Sequence, residues 1–134
     1  MIPTLSALDH LVLTVADIDR TAQFYSDVLG MSAKQFEATD GSMRWALSYG
    51  DQKINLHQVG KEFDPKAYCP AAGSADLCFL TEHPLASWQD HLAMQGVTII
   101  DGPIHRSGAQ FPITSIYIRD PDGNLIEIAQ KRQD

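Results

Sequence analysis

Two stretches of this chain alternate oily and polar residues, and each leads into a helix-like segment. Leu8-Asp9-His10-Leu11-Val12-Leu13-Thr14-Val15 reads as a strand, with Leu11, Leu13 and Val15 on one face and His10, Val12 and Thr14 on the other. Asp17 suits the N-cap of a helix from about Ile18 to Leu29, in which Ile18, Ala22, Tyr25 and Leu29 recur at helical spacing. Gly30 can take the left-handed conformation that ends a helix. Three strands are predicted next, near 31–38, 43–49 and 53–58, with Asp40-Gly41 and Gly50-Asp51 at the turns.

The same order then recurs. Residues 75–80 read as a strand, and Pro84 suits the first turn of a helix whose buried stripe is Leu85, Trp88 and Leu92. Gly96 ends that helix, and strands near 97–101, 113–119 and 124–129 follow. The last two are joined by Asp120-Pro121-Asp122-Gly123-Asn124, a strong turn signal. His10 and Asp76 are 66 residues apart, as are Gly30 and Gly96. Each half is therefore βαβββ, a small sheet with one helix on one face, and its other face needs a second layer. The expected fold is α+β: two tandem βαβββ modules, 6–59 and 74–130, forming a curved, half-open mixed β-barrel with the helices outside. The expected domain is a single one over 1–134. The connector at 60–74, with Pro65, Pro70 and Gly73, is long for a compact fold and is expected either to join the modules or to close over a pocket.

The faces carry chemistry. In the last strand of each module Ile54 and Leu56, and Ile126 and Ile128, belong to the helix side. Asn55, His57 and Glu127 then fall on the opposite side, together with His10 and Asp76. A carboxylate between two isoleucines wants a partner. Imidazole and carboxylate together suit a divalent metal, Zn, Ni, Fe, Mn or Co, with His10, His57, Asp76 and Glu127 as the candidate ligands. His57 sits one residue pair beyond the place that matches Glu127, and Asn55 occupies that place, so either can complete the set. Ser115 and Tyr117 share the pocket face by alternation, Arg44 is a further wall residue, and Arg106, placed in a loop beside Gly108, is a candidate for anion binding. His105 is also placed in a loop, near the pocket mouth, and His83 and His91 are expected to be exposed.

Composition narrows the partners. The chain has 134 residues, 44% hydrophobic and 20% charged, with net charge −7. That balance disfavours nucleic acid, whose binding rests on phosphate neutralisation. No apolar run approaches the roughly 20 residues of a membrane helix, and the N-terminus lacks a signal-peptide pattern. The expectation is a cytoplasmic protein with a small-molecule substrate. Cys69 and Cys78 do not suggest a disulfide scaffold, and Cys78, in an oily strand, is expected to be a buried free thiol.

The chain resembles the vicinal oxygen chelate superfamily of glyoxalase I, bleomycin and fosfomycin resistance proteins, epimerases and extradiol dioxygenases. The resemblance rests on residues 8–15, on Phe24-Tyr25 through Val28-Leu29-Gly30-Met31, and on Arg119-Asp120-Pro121-Asp122-Gly123-Asn124-Leu125-Ile126-Glu127. Residues 52–63 and 73–79 are similar to the glyoxalase-domain-containing "virulence protein" branch. The resemblance implies metal positions at His10, Asn55, Asp76 and Glu127, with Asn55 standing where bacterial glyoxalase I has glutamate. It also implies a homodimer. The expected function is a metal-dependent, glyoxalase-like lyase or isomerase in which Glu127 or His57 exchanges protons. The alternatives are an extradiol-type dioxygenase and a metal-free, ligand-sequestering protein of the drug-resistance type.

Overall fold

The computed structural model of the protein describes residues 1–132, and its eight strands form two separate four-stranded sheets. The chain divides into two compact units, one ending at Ala71 and the other beginning at Ala72. Each is a βαβββ module with a mixed sheet, the tandem arrangement read from the sequence.

In the first unit β1 (Leu11–Val15) runs parallel to β4 (Gln52–Gln58), and β4, β3 (Met43–Tyr49) and β2 (Ser32–Glu37) follow antiparallel, giving the order β1-β4-β3-β2. Helix α1 spans Ile18–Asp27. The Asp17 carboxylate accepts from the Arg20 N–H at 3.2 Å and caps its start. At its end the Met31 N–H donates to the Tyr25 carbonyl at 3.0 Å, and Gly30 adopts φ +72°. Leu13, Val15, Tyr25, Leu47, Ile54 and Leu56 form the buried layer between helix and sheet.

The second unit repeats this plan with β5 (Asp76–Leu80), α2 (Leu85–Met94), β6 (Asp101–Ser107), β7 (Pro112–Arg119) and β8 (Leu125–Lys131), in the order β5-β8-β7-β6. Leu85, Leu92, Ile116, Ile118, Ile126 and Ile128 are its buried set. The repeat extends to single hydrogen bonds. Gln58 Oε1 accepts from the Ile18 N–H at 3.2 Å, and Gln130 Oε1 accepts from the Leu85 N–H at 3.4 Å. A glutamine at the end of each module's last strand thus satisfies an orphan donor at the start of that module's helix.

Four expectations need correction. Residues 97–100, although rich in β-branched side chains, form no strand; β6 begins at Asp101 and runs to Ser107. Gly102-Pro103 is accommodated because β6 is an edge strand, where a missing donor is tolerated. The pairing slips between Asp101 and Ile104, and Gly102, at φ +92°, absorbs the slip. His105 and Arg106 therefore belong to this strand and not to a loop. Cys78 is exposed, because β5 presents it on the face opposite the helix. His91 is half-buried, with its ring against Trp88 at 5.9 Å. Among the described residues no helix is long and apolar enough to cross a membrane.

Candidate functional site

In each unit the helix covers one face of the sheet, and the polar candidates lie on the other. Strand register fixes who stands beside whom. In the first unit Val12, Asn55 and Ala46 form one row, and Thr14 and His57 form the next row along. His10 immediately precedes β1 and falls diagonal to Asn55. It lies four residues from Thr14, or about 13 Å at the strand rise, so it does not converge with His57. His10 Nδ1 is 2.8 Å from Asp9 Oδ1, a contact that leaves Nε2 available. Asn55 has a half-buried side chain whose Oδ1 is shut off from solvent and has no hydrogen-bond partner among the described residues. An unsatisfied buried acceptor is costly, and a native fold usually keeps one for a reason.

His57 is 7% exposed. Burial lowers its pKa, the cations Arg44 and Lys66 lower it further, and Glu62 partly opposes them. The imidazole is thus held neutral at pH 7. Phe63, from the connector, contacts the His57 ring edge-on at 5.6 Å, and the Arg44 guanidinium lies 4.0 Å from the Phe63 centroid. Arg44 also pairs with Asp40 at 3.0 Å. Pro65, Lys66 and Pro70 close over Val12, Thr14 and His57 to leave a cavity of about 210 Å³. This part of the connector is the cover of the first unit's open face. Phe63 and Lys66 were missed from sequence because a Pro-rich stretch without period does not reveal where it folds back.

In the second unit Cys78, Glu127 and Tyr117 form one row across three strands. Asp76 pairs with Leu125 and is therefore diagonal to Glu127, as His10 is to Asn55. Ser115, fully buried, donates its hydroxyl to Glu127 Oε2 at 2.5 Å. Arg106 Nε donates to the Tyr117 hydroxyl at 2.9 Å. Burial, then the charge and hydrogen bond of Glu127, then Asp76, push the Cys78 thiol up to about 11. Glu127, Cys78 and Arg106 line a cavity of about 420 Å³. Period-2 alternation alone put Cys78 and Glu127 on the same face, and the register of β5 against β8 makes them neighbours. Within either unit no three His, Cys, Asp or Glu side chains are grouped to hold a metal ion among the described residues.

The comparisons agree with this architecture. The family model for the "Glyoxalase/Bleomycin resistance protein/Dioxygenase superfamily" matches residues 7–128. Virulence protein STM3117 of Salmonella typhimurium is 54% identical over 123 residues, covering 92% of this chain and 83% of that one. The glyoxalase domain-containing protein RDO1 of Mycosarcoma maydis is likewise 54% identical over 123 residues, covering 92% of this chain and 67% of that one. A solved integron cassette protein from the mobile metagenome of V. cholerae superposes with a TM-score of 0.90 at 57% identity, covering 97% of this chain and 98% of that one.

Proposed function

Because the chain belongs to the glyoxalase/bleomycin resistance protein/dioxygenase superfamily, we propose that it is a metal-dependent enzyme acting on a small molecule, a glyoxalase-like lyase or isomerase. We place it in the cytoplasm as a homodimer of single-domain chains. The observation that carries this reading is the matched pair of half-sets: His10 diagonal to Asn55 in one unit, and Asp76 diagonal to Glu127 in the other.

The chemistry of these four donors suits a divalent ion. One imidazole, one amide oxygen and two carboxylates are the mixed nitrogen and oxygen set that takes Zn, Ni, Fe, Mn or Co. The Asn55 Oδ1, without a partner among the described residues, supports its inclusion, and the distance along the strand speaks against His57 sharing an ion with His10. When bound, the ion would polarise a carbonyl and stabilise the anion left by loss of an adjacent proton.

The chain's own residues supply the rest. Glu127 is the proton-carrying carboxylate, and the Ser115 hydroxyl holds it in one orientation. His57, neutral and capped by Phe63, is a second proton acceptor on the first unit's open face. Arg44, Arg106 and Tyr117 are substrate contacts, with Arg106 oriented by its bond to Tyr117. Phe63, Pro65 and Pro70 limit water at His57.

One observation favours the competing reading, a metal-free sequestering protein: the uncharged Asn55 lowers the set's total negative charge. Elemental analysis of purified protein separates the two. About one divalent ion per chain, weakened at least about 100-fold by His10→Ala or Glu127→Ala, supports the enzyme. Deuterium uptake from D₂O into small α-hydroxy or α-keto carbonyl compounds, lost in Glu127→Gln, tests the proton transfer. Protein that binds no divalent ion under saturating conditions overturns the reading.

A further inference from the structure

The cavity of about 420 Å³ beside Glu127 is of a size that holds a small molecule. Its lining mixes charged and oily side chains: Glu127, half-buried, and Arg106, exposed, together with Leu80, Phe111 and Ile113. The loop after β6 shapes the rim. The Gly108 N–H donates to the Phe111 carbonyl at 3.1 Å, and a Cβ at Gly108 would stand 2.4 Å from that oxygen. A glycine is therefore needed there.

Arg106 indicates what the cavity would take. Its Nε is tied to the Tyr117 hydroxyl, and its guanidinium carbon lies 5.6 Å from the Tyr117 ring centroid. It forms no ion pair among the described residues, in a chain of net charge −7. An arginine anchored through Nε still offers the N–H groups of its two terminal nitrogens, a fork that matches a carboxylate or phosphate. Tyr117 stands directly opposite Glu127 across β7 and β8. A cationic fork and a carboxylate thus line one cavity.

We propose that this cavity takes a small organic oxyanion, whose anionic group rests on Arg106 and whose apolar body lies against Leu80, Phe111 and Ile113. The substrate class named here deepens the enzyme reading above and rests on it for the role of Glu127. Binding itself needs no metal. Arg106 neutralises the anion and sets the distance from the anionic group to the atom facing Glu127. Gln110, which also lines the cavity, adds an amide donor.

The test uses the full chain after metal removal by chelator, so that it stands whether or not the metal assignment holds. Three probes are titrated: phenylacetate, phenyl phosphate and the neutral phenylacetamide. Backbone amide resonances report the place and the affinity. At least one anion is expected to shift Arg106, Gly108 and Gln110 and to bind at least about tenfold tighter than the amide. Its affinity is expected to fall with added salt. The anion that binds better identifies the headgroup. Arg106→Gln is expected to bring the anions down to the level of the amide, and Arg106→Lys to restore part of the difference. If Arg106→Gln does not fold, the comparison of acid with amide on the unaltered chain still decides. Equal binding of acid and amide, shifts confined to other residues, or no binding of any probe would overturn the proposal.

Discussion

Ser115, buried in β7, gives its hydroxyl hydrogen to the Glu127 carboxylate at 2.5 Å. The bond joins neighbouring strands on the open face of the second unit and orients the carboxylate on which the proposed chemistry depends. Ser115→Ala removes the donor and leaves the acceptor half-buried. Stability is expected to fall by about 1.5–3 kcal/mol, the range for a hydrogen bond to a charged group. Urea unfolding measures this, and an unchanged midpoint would mean that the bond contributes nothing.

Asn55→Leu separates folding from binding. The substitution removes a buried acceptor that lacks a partner among the described residues, so the metal-free protein is expected to be as stable as the parent or more so. Metal uptake is expected to fall. A variant that is destabilised yet keeps its full metal content would contradict the assignment of Asn55.

The His57 pKa is lowered first by burial and then by Arg44 and Lys66. Folding therefore favours the neutral ring. The associated stability is fully present above the ordinary value of 6.5 and is lost as pH falls toward the lower folded value. Urea unfolding across this window is expected to show stability declining with acid. His57→Gln is expected to flatten that slope, and an equal slope in the variant would show that other groups carry it.

The two cysteines are expected to react unequally. Both are exposed as residues, but the Cys78 thiol lies against Glu127 and is pushed up to about 11. At pH 8 Cys78 is therefore almost entirely in the unreactive thiol form. Iodoacetamide followed by peptide mass mapping is expected to label Cys69 first. Glu127→Gln, by removing the adjacent charge, is expected to speed labelling of Cys78. Equal rates in the parent protein would refute this account.

Gly102→Ala tests the irregularity in β6. Gly102 has φ +92°, and a Cβ there would lie 2.3 Å from the Ser115 backbone oxygen. The variant is expected to lose at least about 1 kcal/mol and to loosen the bond between Arg106 and Tyr117. Melting temperature and the resonances of β6 report the two effects.

Much of this fold is local and was legible in the chain. Alternation placed Ile54 and Ile126 under their helices and put Asn55 and Glu127 on the opposite faces, because a strand has only two sides. Asp17 and Gly30 marked the ends of α1 through backbone chemistry that needs no tertiary partner. The failures lie where a neighbour decides. Val97-Thr98-Ile99-Ile100 has strand-like residues but forms no strand, with Ile100 alone donating to the Tyr117 carbonyl of β7, whereas Gly102-Pro103, poor in that propensity, enters the sheet at an edge. Pairing with β7 outweighs intrinsic preference there. Period alone put His57 and His10 on one face, and only the register of β1 against β4 showed them about 13 Å apart along it. The contacts of Phe63 with His57 and of Arg106 with Tyr117 likewise depend on long side chains meeting across distant residues. One sequence thus specifies which side of a strand a group occupies. Its distance from another group is set when strands choose their register and loops fold back, which are long-range events.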